Sequence, residues 1–411
     1  MTQDTPVAAA IRIQASFAPK ISLAFHQNAV PLLRDLAIVN DGDAALDAVE
    51  MTLASAPGFL ATRTWRIESI GQGAHYPIAD LDAALDGALL SRLTEAESAQ
   101  ATLTLRAAGG EIACLAQPIQ LLPRNQWGGI GHMPEMVAAF VQPNDPAVDR
   151  ILKQAADVLR QNDRSPALDG TQGGPKRAWE LASAVWAAIG ALGLDYALPP
   201  ASFEHTGQKV RSPSQILDGG LATCLDTTLL FAACFEQCGL HPLVVCTRGH
   251  AFAGLWLKPE DFSSTVVDDI TALRKRVQLN ELVLFETTFA THRPCLGFGR
   301  AIERGAQQIS EAEEDKFELA VDGIQHHVLV VGIFRQRLEN SFENAARAPP
   351  AQPLVRVLPI AKALRQIPPR NACAIAAENG LDKKTVVGCG SANMPLPPRE
   401  KIFNPLPLIV S

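Results

Sequence analysis

Cys224, His250 and Glu286 are the residues of this 411-residue chain whose types and order suit nucleophilic chemistry. Cys224 sits in GGLATCLDTTLLFAACFEQCGL, residues 219–240, just ahead of a long apolar run. That run predicts a helix over Leu225–Cys238, with Gly219-Gly220 as a flexible approach and Gly239 as its C-terminal cap. Thr223 or Asp226 would satisfy the first-turn amides. A free thiol, with a pKa of about 8.5, is a weak nucleophile, and a helix N-terminus is one of the settings that lowers it. Backbone N–H groups at the same place can receive an oxyanion. The chemistry on offer is attack of sulfur on a carbonyl.

A thiol nucleophile needs a base, and the base needs an orienting group. After the turn at Gly239-Leu240-His241-Pro242, LVVCT reads as a buried strand, Arg248-Gly249 turns the chain, and HAFAGLWL reads as a second strand. On it His250, Phe252, Gly254 and Trp256 share one face, with Ala251, Ala253, Leu255 and Leu257 on the other. Small alanines let a strand pack closely on a helix, so a histidine at the strand's start can reach the N-terminus of that helix. Glu286 lies in ELVLFETTFA, residues 281–290, on the same face as Leu282 and Leu284. A carboxylate inside an apolar strand is costly unless paired, and His250 is its natural partner. Asp268-Asp269 competes for that role from a polar loop. The triad calls for no metal and no organic cofactor.

Other reactive residue types read more plainly. The eight cysteines (Cys114, Cys224, Cys234, Cys238, Cys246, Cys295, Cys373 and Cys389) are scattered and include no CxxC pair, which argues for reduced thiols. Cys234, Cys238 and Cys246 read as packing residues. There is no HExxH. His241 reads as a turn residue, His205 and His292 as loop residues, and His326-His327 falls where the pattern fades.

The elements that must hold this site follow from periodicity. Residues 15–125 give ISLAFHQ, LRDLAIVN, AVEMTLAS, TWRIESI, ATLTLRA and EIACLAQPIQLL, short alternating runs separated by turn residues. This predicts an immunoglobulin-like β-sandwich over 1–125, read as a scaffold or interaction module. A helical linker is expected over 126–165, starting a helix at Asp145-Pro146. An α+β domain follows over 166–322, with a helix over about Arg177–Ala191 burying Trp179, Val185, Trp186 and Ile189. The remainder, 323–411, is Pro-rich and is expected to be weakly structured.

Composition sets limits. A 47% hydrophobic content in a chain this long supports roughly two or three domains. The net charge of −7 gives no general attraction to nucleic acid or to an anionic membrane. No run approaches the roughly 20 apolar residues that span a bilayer, and the first residues lack the pattern of a secretory signal. A cytoplasmic location is expected.

Taken in order, ATCLD, FEQCGLHPLVV, GHAFAGLWL and LFETT resemble the transglutaminase-like cysteine peptidase superfamily, whose fold is papain-like. The resemblance implies Cys224 as nucleophile, His250 as general base and Glu286 as orienting carboxylate. Tyr196 matches the aromatic residue that commonly precedes the nucleophile region. Glu286 stands where the family more often has Asp, and Phe252 where it often has Trp, so an indole N–H is missing there. Over residues 15–322, FVQPNDPAVDRIL, PPASFEHTGQKVRSP, LATCLDTTLLFAA and RGHAFAGLWL resemble the N-terminal region of large bacterial helicase-like proteins. Those carry immunoglobulin-like and transglutaminase-like domains ahead of a superfamily 1 helicase. This chain has no GxxxxGK[ST] loop, and the likeness stops after EDKFELAVD. The resemblance therefore leaves two functions open: a thiol hydrolase or acyl transferase acting on the peptide or isopeptide bonds of a protein or peptide substrate, or an inert interaction module of a helicase-associated or defence assembly.

Overall fold

The computed structural model describes residues 10–322 apart from residue 132. The tail 323–411, with His326-His327, Cys373 and Cys389, lies outside the described residues. The fold is mixed α+β and divides into two compact units, Met1–Gly128 and Gly129–Ser411. Their boundary falls inside the stretch expected as a linker, and the helix expected there belongs to the second unit.

The first unit holds strands β1 (Ile11–Phe17), β2 (Leu33–Asn40), β3 (Leu46–Ala56), β4 (Arg63–Ile70), β5 (Glu97–Ala107) and β6 (Gly110–Leu121). β1, β2 and His75–Pro77 form one antiparallel sheet. The other runs Lys20–Ile21, β6, β5, β3, β4. On β3, Val49, Met51 and Leu53 are buried while Glu50 and Thr52 are half-exposed, the period-two pattern read from the sequence. ISLAFHQ departs from its expected strand: only Lys20–Ile21 pairs, and Leu23–Gln27 closes one helical turn that buries Ala24 and Phe25. Leu, Ala and Gln are good helix formers, and this segment has no β-branched residue to oppose them.

The second unit contains α1 (Pro146–Gln161), α2 (Pro175–Gly190), α3 (Cys224–Gln237), β7 (His241–Thr247), β8 (His250–Trp256), α4 (Ile270–Gln278), β9 (Leu282–Phe285), α5 (Phe298–Gln308) and β10 (Phe317–Val321). Its sheet runs Val266–Val267, β10, β7, β8, β9, antiparallel throughout. Asp145 caps α1 by accepting from the Ala147 N–H at 2.8 Å, and Pro146 takes the first position, which lacks a hydrogen-bond partner anyway. α3 is buried from Cys224 to Phe235, with apolar residues over most of its length and the polar Asp226, Thr227 and Thr228 confined to its first turn and a half. It meets the neighbouring elements through aromatic rings: Trp186 of α2 stacks on Phe231 at 5.3 Å, and Phe231 meets Phe285 of β9 edge-on at 5.4 Å. Trp179 is only half-buried. β9 ends the sheet, and α5 packs beside it so closely that a Cβ on Gly305 would lie 2.5 Å from the Leu284 carbonyl.

Candidate active site

The first turn of α3 presents Cys224. Thr223 accepts from the Asp226 N–H at 3.2 Å, and Asp226 accepts in return from the Thr223 N–H at 2.9 Å. This capping box uses both residues proposed from the sequence. Asp226 is fully buried and carries a charged partner, with Arg211 Nη1 at 2.7 Å from Oδ2 and the Arg211 N–H at 2.8 Å from Oδ1. A carboxylate in the first turn also favours the positive end of the helix dipole.

His250 opens β8 just after Gly249, whose φ of +70° makes the tight turn. The register pairs Ala253 with Phe285, so Glu286 comes one residue past the end of β9, diagonal to His250. The strand is therefore shorter than the 281–290 expected. Glu286 instead caps the 3-10 turn Thr287–Thr291.

Four donors hold the Glu286 carboxylate. Oε1 accepts from the Thr288 N–H at 2.9 Å and from Thr288 Oγ1 at 2.7 Å. Oε2 accepts from His250 Nε2 at 2.7 Å and from Gln308 Nε2 at 3.0 Å. Burial alone would raise the Glu286 pKa. The hydrogen bond and charge of His250, with the Thr288 donors, outweigh it and hold the carboxyl below its usual range. His250 shows the mirror image. Burial works against its charged form, but hydrogen bonds to Cys224 and Glu286, and their charges, raise it to about 10. Since Nε2 serves Glu286, Nδ1 is the nitrogen left for the sulfur.

Tyr196 completes the surroundings of the sulfur. Asp195–Tyr196 pairs in parallel with Leu221–Ala222, placing Tyr196 opposite Ala222, two residues before the nucleophile. Burial first, then the charge of the neighbouring Cys224, push the Tyr196 pKa up, so the phenol remains a donor across the working pH range. Cys224 is 0% exposed, whereas Tyr196 is 39% exposed. The His250 side chain is 23% exposed.

The other sequence-level candidates lie elsewhere. Asp269 caps α4, accepting from the Thr271 N–H at 2.8 Å, and so does not orient His250. His241 is the first residue of β7 rather than a turn residue. His205 lies 3.6 Å from Glu318, and the His292 ring meets Phe289 edge-on. Cys234, Cys238 and Cys246 are buried thiols whose pKa burial raises, Cys238 and Cys246 to about 12. Among the described residues no group of three or more His, Cys, Asp or Glu is placed to hold a metal ion, and no helix is long and apolar enough to cross a membrane.

Sequence reasoning passed over Thr288, Gln308 and the hydroxyls of Thr227, Thr228 and Thr287. The threonines lie in runs that also read as helix or strand. Gln308 is one of several polar residues on an amphipathic helix, and only its place in space marks it. No family model matches the chain, and no curated protein matches it.

Proposed function

We propose that the second unit carries out thiol-dependent acyl transfer or hydrolysis on peptide or isopeptide amides, as a transglutaminase-like domain of papain-related fold would. The observation that carries this reading is the Glu286–His250 contact at 2.7 Å, made by a carboxylate that is itself fully hydrogen-bonded, with the other side of the ring against Cys224. A structural ion pair has no need of a thiol on its far side.

In the proposed reaction the thiol proton passes to His250 as the sulfur attacks. The sulfur attacks the amide carbon, a C–S bond forms, and the carbonyl electrons move to oxygen. The Cys224 N–H at the head of α3 and the Tyr196 hydroxyl are the donors for that oxyanion. Collapse breaks the C–N bond, and the leaving amine takes the Nδ1 proton of His250. Water, or an acceptor amine, then gives its proton to Nδ1 while attacking the thioester. The sulfur leaves and takes the proton back from Nδ1, and the thiol is restored. The first unit, with its two sheets, is read as an immunoglobulin-like sandwich that serves as scaffold, a helicase-like partner is what the same resemblance suggests, and the reaction is placed in the cytoplasm expected from the sequence.

The complete burial of Cys224 favours a second reading, an inert interaction module in which the triad residues serve only the fold. An electrophilic acyl probe separates the two. The enzymatic reading expects labelling at Cys224 that is lost in Cys224→Ser and strongly slowed in His250→Ala. Labelling spread over other cysteines and unchanged by both substitutions leaves only the module.

A further inference from the structure

Beside the triad lies one buried polar side chain that the proposed reaction does not use. Gln308 ends α5 and is 7% exposed. Its Nε2 donates to Glu286 Oε2 at 3.0 Å, while its Oε1 is buried and has no hydrogen-bond partner. A buried carbonyl without a donor is unfavourable, and an aliphatic side chain would fill the space without that penalty. Turning the amide over would set its oxygen against a carboxylate oxygen, so Glu286 dictates which way it faces.

The docking of α5 points the same way. The Glu286 N–H donates to the Ala301 carbonyl at 2.9 Å. One turn on, Gly305 lies against the backbone at Leu284 and Phe285 with no room for a Cβ. Residues 301, 305 and 308 form one stripe of the helix. Two of its members bring the backbone to β9 and its end, and the third delivers the amide to the carboxylate.

We propose that Gln308 is a positioning residue for Glu286: it holds Oε2 in place and keeps the carboxylate ionised, so that the imidazole keeps its proton and its aim at the sulfur. The inference rests on the triad reading above. With Thr288 fixing Oε1 and Gln308 sharing Oε2 with His250, the carboxylate has no rotation open to it that keeps its donors.

Two near-isosteric variants of the full chain test this. Gln308→Met keeps the volume and removes the donor. Gln308→Glu restores a donor only while its acid is protonated, because two adjacent carboxyls share one proton and the pair then ionises with raised pKa. Cys224 alkylation by iodoacetamide, mapped by mass spectrometry from about pH 5 to about pH 8, should slow about tenfold at every pH in Gln308→Met, the rate equivalent of losing one hydrogen bond of about 1.4 kcal/mol. Gln308→Glu should match the natural chain near pH 5 and fall to the Gln308→Met rate near pH 8. A Gln308→Met rate equal to that of the natural chain overturns the proposal, as does a Gln308→Glu variant that follows either comparator at all pH values. If Cys224 of the natural chain reacts no faster than in His250→Ala, the enzymatic reading fails, and the His250 titration followed by histidine side-chain NMR decides the positioning role alone. A His250 pKa displaced in Gln308→Met upholds it, and an unchanged one ends it.

Discussion

The hydroxyl of Thr287 lies 2.9 Å from that of Thr227, and both are fully buried. Thr228 adds a second contact at 3.1 Å, and the hydroxyls of Thr227 and Thr228 also lie 2.9 and 2.8 Å from the Cys224 carbonyl. The segment that carries Glu286 is thus tied to the first turn of the helix that carries Cys224, without passing through the imidazole. Thr287→Val keeps the shape and removes the tie. The hydroxyls on α3 retain their backbone acceptors, so the loss should be about 1 kcal/mol of stability. Urea unfolding of the variant measures it, and an unchanged midpoint would show that the two segments are spaced by packing alone.

Tyr196 has two expected effects that separate by variant. Tyr196→Phe keeps the ring and removes the hydroxyl, so any acyl transfer should slow through loss of an oxyanion donor. Tyr196→Ala removes the whole side chain beside a fully buried sulfur, and iodoacetamide should reach Cys224 faster, by up to about tenfold. Equal alkylation rates in Tyr196→Ala and the natural chain would mean that other side chains close the site.

What the sequence makes legible here follows from how local each cause is. The α3 start reads from its own residues, because Thr223 and Asp226 form a cap three positions apart and Gly239, at φ +77°, closes the far end. Glu286 announces itself as a charge within an apolar run, and His250 follows a turn. The end of β9 at Phe285 does not read, since Thr-Thr-Phe after Glu286 suits a strand as well as a turn, and the choice is made when Glu286 bonds to the Thr288 N–H. Gln308 lies 22 residues from its partner, and no periodicity links a helix residue to a carboxylate at that distance. The site's nearest parts are local in cause; the groups that hold it are not.

The ion pair should give a characteristic pH dependence. His250 has its pKa raised from 6.5 to about 10, so its contribution to stability is complete below pH 6.5 and is lost as pH rises toward about 10. Glu286 has its pKa lowered from 4.5, so its contribution is complete above pH 4.5 and is lost as pH falls through the lowered value. Both are therefore at full strength between pH 4.5 and 6.5. The difference in urea midpoint between the natural chain and His250→Gln should be largest in that window and shrink steadily toward pH 10. A difference that stays flat from pH 6 to pH 10 would mean the ring is not held protonated by its neighbours.

Gly305→Ala tests whether the docking of α5 is what delivers Gln308. Within a helix, alanine is the more favourable residue, by about 1 kcal/mol, so propensity alone predicts stabilisation. Here the added Cβ would meet the Leu284 carbonyl at 2.5 Å and the Phe285 nitrogen at 2.6 Å, backbone atoms that cannot turn aside. The helix must move away from β9, and overpacking of this kind costs about 1–3 kcal/mol. The movement also carries Gln308 away from Glu286, so the variant should reproduce the slowed Cys224 alkylation expected of Gln308→Met. Gly219→Ala is the control, because nothing lies within 4 Å of a Cβ at that position. Thermal unfolding should separate the two substitutions. A Gly305→Ala chain as stable and as reactive as the control would show that α5 has slack at this contact, and that the amide reaches the carboxylate without the close approach.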